Sequence, residues 1–119
     1  MLVIENEKKS LLECRRWLNF FDPKPEYERH HKAQYKGTGQ WIFEDSEFQK
    51  WRQLLEGVLW IQGKAGAGKS VLTSFIIDKL QKQDSNNKVC CVHVYFFFRN
   101  GDDRTAGPAT MLASLVEQL

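Results

Sequence analysis

The chain has 119 residues, of which 42% are apolar, 13% aromatic and 27% charged. This length fits one compact domain, and this composition excludes a disordered chain. Seventeen Lys and Arg against fifteen Asp and Glu give a net charge of +2, which is too small and too evenly spread to indicate a nucleic-acid interface.

No segment has the length or composition of a membrane span or a signal peptide. The longest uncharged apolar run, Val89 to Phe98, has ten residues and includes a histidine, whereas a spanning helix needs about 20 apolar residues. Charged residues already appear at positions 5–9, which excludes the apolar core of a secretory signal. We therefore expect a cytoplasmic protein without a membrane partner.

The cysteines and histidines form no recognisable set of metal ligands. Cys14, Cys90 and Cys91 contain no C-x-x-C pair and are interpreted as buried, reduced thiols of an intracellular protein. The pair His30–His31 is interpreted as solvated, because no spacing typical of zinc ligands connects it to a cysteine or to His93. No metal site is therefore predicted from these residues.

Apolar residues at spacings of three and four predict a first helix from about Asn6 to Phe21. The residues on its apolar face are Leu11, Cys14, Leu18 and Phe21. The prolines in Asp22–Pro25 are predicted to end this helix, because a proline bars the residue before it from helical backbone angles. The polar residues 26–39 are then expected to form a loop. Residues 1–36 would be a helical lead-in to a domain over residues 37–119.

A second helix and a first strand are predicted next. Ser46 and Gln49 have the spacing of a capping box, and the helix that they open is expected to stop at Gly57. The side chains that this helix is expected to bury are Phe48, Trp51 and Leu55. The run 58–61 has the length and residue types of a β-strand.

A third helix, a second strand and a fourth helix complete the predicted elements. The third helix starts near Lys69, and Val89 to Phe98 is apolar on both alternating faces, as in a parallel strand covered by helices on both sides. The last helix has Pro108 in its first turn. Its apolar face consists of Met111, Leu112, Leu115, Val116 and Leu119. Alternating strands and helices predict an α/β fold, and the uncapped apolar end predicts a piece of a longer chain.

Residues 63–70, GKAGAGKS, match the phosphate-binding pattern G-x-x-x-x-G-K-S/T. Glycines let the backbone turn through angles that a Cβ forbids, so that successive N–H groups converge on one anion. The following helix directs its positive N-terminal end to the same place. The predicted nucleotide-binding residues are Gly63, Lys64, Ala65, Gly66, Ala67, Gly68, Lys69 and Ser70. Lys69 is expected to reach the β- and γ-phosphates, and the Ser70 hydroxyl to ligate Mg²⁺.

A complete hydrolytic site is not predicted. Such sites hold magnesium partly through an aspartate at the end of a second strand, whereas the second strand predicted here ends in Phe98 and Arg99. Asp102 and Asp103 follow in the next loop, where a solvated acidic turn is favoured over a metal site. The sequence therefore supports a nucleotide site with at most a slow NTPase activity.

The surroundings of this loop resemble the start of NACHT-type nucleotide-binding domains. The resemblance rests on GTGQWIF at 37–43, SEFQKW at 46–51 and LWIQ at 59–62, followed by GKAGAGKS. The group that they resemble is the nephrocystin 3-like N-terminal type of fungal STAND signalling NTPases. Residues 95–98 and the final leucine-rich helix are similar to that group's second strand and third helix.

The resemblance implies a partial P-loop NTPase, a three-layer α/β/α domain that works as a molecular switch. In that family ADP holds a closed form, and exchange for ATP opens it for assembly through attached domains. Gly63–Ser70 would then grip the phosphates, and residues 37–41 would lie towards the base. The aspartate-bearing Walker B strand and the sensor residues lie beyond Leu119 in this pattern. The partners implied are therefore the nucleotide and either protein partners or missing C-terminal segments.

Two other functions stay open from the residues alone. A small P-loop kinase or GTPase has the same loop, although such enzymes usually carry it close to the N-terminus. A non-catalytic interaction fragment, or a truncated gene product, would retain the loop without a ligand. The choice between ATP and GTP is also open. The four tryptophans, Trp17, Trp41, Trp51 and Trp60, are interpreted as packing anchors rather than as a surface for stacking bases.

Overall fold

The computed structural model describes residues 2–18, 20–88, 90–105 and 107–119. The regular structure within these ranges is helical: α1 (Leu2–Leu18), α2 (Lys24–Lys32), α3 (Trp41–Glu44), α4 (Ser46–Gln53), α5 (Lys69–Asn86), a 3₁₀ turn (Asp103–Thr105) and α6 (Pro108–Glu117). None of these helices is long and apolar enough to cross a membrane. The chain divides into two compact units. We call Tyr27–Cys90 the loop unit, and Met1–Glu26 with Cys91–Leu119 the terminal unit.

The predicted α/β fold, a partial three-layer P-loop domain, is wrong, because the described residues form no β-strand. Both runs predicted as strands, 58–61 and 90–98, lack regular secondary structure, and Val89 lies outside the described residues. A strand forms only when its backbone pairs with a neighbouring strand. In the first run Leu59 and Ile61 pack against the core, whereas Val58 is 87% exposed and Trp60 is 77% exposed, so only one of its two faces is covered.

In the second run the backbone of Tyr95 pairs with a side chain instead of with a neighbouring strand. The backbone N–H of Tyr95 donates to Oε1 of Gln118 at 3.0 Å, and Nε2 of Gln118 donates to the Tyr95 carbonyl oxygen at 2.8 Å. One amide therefore pairs with both backbone groups of this residue, as a strand would do. Within the same run Phe97 is buried, whereas Val92 and Phe98 are exposed.

The core of the loop unit is an aromatic and aliphatic cluster. It consists of the buried residues Ile42, Phe48, Phe75 and Ile76, against which Phe43, Trp51, Leu59, Ile61, Leu72 and Leu80 pack. Helix α4 contributes Phe48 and Trp51 to this cluster. Asp45 caps the helix, since its Oδ1 accepts the N–H groups of Glu47 and Phe48 at 2.9 and 3.0 Å. The predicted cap, Ser46, is instead the first residue of the helix, and Leu55 is fully exposed rather than buried.

Helix α2 lies where a loop was predicted. The first helix ends at Leu18, before the prolines that were predicted to stop it, and Pro25 is the second residue of α2. Proline is tolerated there because the first N–H groups of a helix have no intrahelical partner. Asp22 Oδ1 accepts the N–H of Lys24 at 3.0 Å, and four basic residues in the last turn complement the helix dipole.

For the other helices, the sequence predicted the first residues better than it predicted which side chains are buried. Helix α5 begins at Lys69 and α6 at Pro108, as predicted. Helix α1 ends at Leu18 rather than Phe21, and its Leu11 is exposed. The buried residues of α6 are Ala113 and Ser114, whereas Leu112, Val116 and Leu119 of its predicted apolar face are exposed.

Candidate functional site

The glycine-rich loop forms a tight turn before helix α5. Gly66 and Gly68 have left-handed backbone angles, with φ of +78° and +88°. A side chain at either position would be strained by this conformation. A hydrogen bond from the Ala67 N–H to the Lys64 carbonyl oxygen, 3.1 Å long, closes the turn. Gly63 has no positive φ, so the left-handed angles predicted for the loop glycines occur at two of the three.

The N-terminus of helix α5 is left without a side-chain cap. Gly68 occupies the cap position, and the first turn carries no acidic residue. Helix α4 differs, because the carboxylate of Asp45 accepts two of its first N–H groups. The first N–H groups of a helix without such a cap are available to an anion, towards which the helix dipole is also positive.

Lys69 lies across the loop that precedes it. Its Nζ donates to the carbonyl oxygens of Gly63 at 2.6 Å and of Lys64 at 2.8 Å. An ammonium group has three donors, so one donor is left for a ligand. Ser70, the predicted magnesium ligand, is exposed at the next position of the helix.

A cleft of about 360 Å³ opens beside the loop, within the range of small-molecule sites. Its walls are the loop residues Gly63, Ala67 and Gly68, the start of α5, and the connection between α2 and α3. Tyr35, Thr38 and Trp41 line the side that faces α5, and Leu72 and Phe75 contribute apolar surface. The cleft therefore joins a cationic, N–H-rich end to an apolar and aromatic end.

The connection between α2 and α3 is a structured turn rather than an open loop. Thr38 donates from Oγ1 to the Tyr35 carbonyl oxygen at 2.6 Å, and its own carbonyl oxygen accepts from Nε2 of Gln34 at 2.7 Å. Tyr35 and Trp41 remain exposed at the rim. The resemblance indicated residues 37–41 for this place; Gln34 and Tyr35 were missed, although Tyr35 and Trp41 flanking Gly-Thr-Gly were visible in the sequence.

The acidic turn after residue 98 is engaged in local contacts. Nη2 of Arg104 lies 2.9 Å from Oδ2 of Asp102, and this hydrogen-bonded guanidinium lowers the pKa of the Asp102 carboxyl below its ordinary value. Asp103 begins the 3₁₀ turn and is exposed. The described lining of the cleft includes no carboxylate.

The remaining candidate residues do not form a metal centre. Across the described ranges, no three His, Cys, Asp or Glu side chains come together as ligands. His31 stacks on Tyr27 with 5.8 Å between the ring centroids, and its buried Nδ1 has no hydrogen-bond partner. Burial, and then the nearby negative charge of Asp78, raises the pKa of Tyr27.

Two interpretations of side-chain burial need correction. The thiols of Cys14, Cys90 and Cys91 are exposed rather than buried. Of the tryptophans, Trp51 packs against Phe48 with 5.5 Å between the ring centroids. Trp17, Trp41 and Trp60 are exposed, so the packing interpretation holds for one of the four.

Comparison with known proteins gives one positive result. A family model described as "Nephrocystin 3, N-terminal" matches residues 37–119. This range includes the glycine-rich loop, the α2–α3 connection from Gly37 onward, and all residues up to the end of α6. No curated protein and no solved structure matches the chain significantly.

Proposed function

Since this chain belongs to the nephrocystin 3 N-terminal family, we propose that it binds ATP or ADP with Mg²⁺ through Gly63–Ser70 as the N-terminal part of a STAND-type regulatory switch. The observation that carries the proposal is that three features lie together at one end of the cleft: the left-handed Gly68, the uncapped N-terminus of α5 and the Lys69 ammonium. Each of these groups favours a phosphate.

The residues of the loop have separate tasks in this proposal. The N–H groups around Gly68 hold the β-phosphate, and Lys69 adds a charge-assisted bond with its remaining donor. Its two bonds to loop carbonyls hold the ammonium at the mouth of the cleft. The exposed hydroxyl of Ser70 would supply one ligand to Mg²⁺. The ion would neutralise phosphate charge and would take waters and phosphate oxygens as its other ligands.

The apolar end of the cleft suits a base. Leu72 and Phe75 provide apolar surface, and the exposed rings of Tyr35 and Trp41 stand at the rim. Aromatic rings stack on any nucleobase, so these rings are compatible with any nucleoside phosphate. We assign adenine on the family resemblance, and GTP remains the alternative that a competition experiment decides.

A regulatory role fits the chemistry of these groups better than rapid turnover. The described lining of the cleft combines Lys69, hydroxyl and amide side chains with apolar ones, without a carboxylate to orient an attacking water. We propose that the signal passes to protein partners. The exposed apolar side chains of Leu55, Val58 and Trp60 support such contacts. Exposed free thiols support a cytoplasmic location.

The proposal is tested by titrating a fluorescent ADP analogue with Mg²⁺ into the wild type and Lys69→Ala. Removing one charge-assisted hydrogen bond costs about 1.5–3 kcal/mol, so we expect affinity to fall roughly 10- to 100-fold. Lys82→Ala is the matched control, because it removes the same charge from α5 at an exposed ion pair with Asp78. It should bind like the wild type. A folded wild type that binds no nucleotide would contradict the proposal.

A further inference from the structure

We propose that the contact between Gly39 and Phe75 positions the aromatic wall of the cleft against helix α5, and thereby sets the distance between the base end and the phosphate end. The proposal rests on the proposed function, because it concerns how a nucleoside phosphate is held in that cleft. Gly39 and Phe75 both line the cleft, and neither belongs to the phosphate loop.

Gly39 meets the face of a buried ring. A Cβ added to Gly39 would lie 3.0 Å from Cδ1, 3.3 Å from Cε1 and 3.4 Å from Cγ of Phe75. Contacts of 3.0–3.4 Å are tighter than most real Cβ contacts, so either the turn or the ring would have to shift by a few tenths of an ångström. Gly39 also has a φ of +83°. This position therefore selects glycine for its backbone angle and for the close approach of the ring.

The ring of Phe75 has little room to give way. It is 6% exposed and makes an edge-to-face contact with Phe43 at 5.8 Å between ring centroids. Phe43 in turn packs against Phe48 at 4.9 Å, and the ammonium of Lys79 lies 5.6 Å from the Phe75 centroid. Dense packing transmits a displacement rather than absorbing it.

A displacement at this contact changes the distance between the two walls of the cleft, helix α5 and the α2–α3 connection. Phe75 lies six residues after Lys69 on one continuous helix, about 9 Å along its axis at 1.5 Å per residue. The turn that holds Gly39 is fixed internally by the hydrogen bonds of Thr38, so that Tyr35 and Trp41 move with it. Widening the contact therefore separates the aromatic rim from Lys69 while leaving the phosphate loop intact.

Two glycines of the same turn make a matched pair for the test. Gly37 has a φ of +84°, nearly the same as Gly39, but a Cβ added to it meets nothing within 4 Å. Gly37→Ala and Gly39→Ala thus introduce the same backbone strain, and the second adds the collision with Phe75. The loss in Gly37→Ala is the reference against which Gly39→Ala is compared.

The experiment measures two dissociation constants with Mg²⁺ present, one for ADP and one for inorganic tripolyphosphate, which has no base. We expect Gly39→Ala to bind ADP about tenfold more weakly than Gly37→Ala, with equal affinities for tripolyphosphate. Phe75→Leu keeps the glycine and replaces the ring with a smaller aliphatic side chain. It should likewise weaken the binding of ADP but not of tripolyphosphate. It keeps the test decisive if Gly39→Ala does not fold.

A double variant distinguishes a positioning role of this contact from a general loss of stability. The double variant Gly39→Ala/Phe75→Leu has space for the added methyl group, so we expect it to recover ADP affinity relative to Gly39→Ala, a non-additive result. A merely structural contact would lower thermal stability but would weaken both ligands equally. Equal ADP affinities in Gly37→Ala and Gly39→Ala, or no rescue, would overturn the inference alone. A folded wild type that binds neither ligand would overturn the proposed function as well.

Discussion

The loop unit and the terminal unit are stabilised by different kinds of contact. In the loop unit buried rings pack on one another, with Phe48 only 1% exposed at the centre. In the terminal unit ring contacts such as Phe21–Phe96 are joined by polar ones. Gln118 bonds both backbone groups of Tyr95, and Thr105 accepts the N–H of Arg99 at 3.0 Å. Buried rings therefore form the core of the unit that carries the glycine-rich loop, whereas the other unit combines ring contacts with side-chain hydrogen bonds to its backbone.

This difference indicates what each unit tolerates. Hydrophobic burial is non-directional and scales with area, so a cluster of rings withstands small shifts in the elements around it. A side-chain hydrogen bond needs its own geometry and contributes about 1 kcal/mol. We therefore expect the loop unit to lose most when a ring is removed, and the terminal unit to lose a smaller amount with each polar contact.

The largest effect is expected from Phe48→Ala. Removing a buried aromatic ring leaves a cavity and typically lowers the free energy of unfolding by about 3–5 kcal/mol. Chemical denaturation followed by tryptophan fluorescence measures this loss, because Trp51 contacts Phe48. Leu55→Ala is the control, since the Leu55 side chain is fully exposed and its truncation should leave the unfolding midpoint unchanged. A Phe48→Ala protein as stable as this control would refute the packed-core description of the loop unit.

The two units also differ in how far their sequence predicts them. The pattern at residues 63–70 correctly placed the start of α5, because its glycines and the following helix are local features. Pro108 likewise predicted the start of α6. The polar composition of 26–39 concealed α2, since this helix contributes little apolar surface and is defined by its ends: Asp22 before it and basic residues in its last turn.

The failed strands have a physical cause that no local pattern contains. A run such as 90–98 becomes a strand only if another backbone pairs with it, and here Gln118, 23 residues after Tyr95, pairs with it instead. Part of the candidate site could not be predicted from the sequence for the same reason. The contact of Gly39 with Phe75 joins residues that are distant in sequence, and the resemblance alone indicated that residues 37–41 lie near the loop.

A middle-sized effect is expected from Thr105→Val in the terminal unit. Thr105 is fully buried, and valine keeps its shape while it removes the oxygen that accepts the Arg99 N–H. We expect the free energy of unfolding to fall by about 1–2 kcal/mol, with faster amide exchange at Arg99. Thr73→Val is the matched control, because the Thr73 hydroxyl donates to the Lys69 carbonyl oxygen at an exposed position of α5. Equal losses in the two variants would show that burial at Thr105 adds nothing.

The smallest effect is expected at the surface of the terminal unit, from Asp102→Asn. The guanidinium and backbone N–H of Arg104 lower the pKa of the Asp102 carboxyl in the folded state. A carboxylate with a lowered folded-state pKa binds fewer protons folded than unfolded, so its stabilisation is present above the unfolded pKa of about 3.9 and is lost as pH falls through the folded value.

Asparagine keeps an oxygen for the Arg104 N–H but has no charge to titrate. The wild type should therefore be slightly more stable than Asp102→Asn at pH 7, and the difference should shrink as pH falls below about 4. Unfolding curves at pH 7, 4 and 3 measure it, and 1 M salt should reduce it at pH 7, because the charge of the exposed Arg104 side chain is screened. A difference that stayed constant from pH 7 to pH 3 would mean that geometry, rather than charge, holds this turn. This turn of the terminal unit would then depend on the geometry of its hydrogen bonds, in contrast with the packed rings of the loop unit.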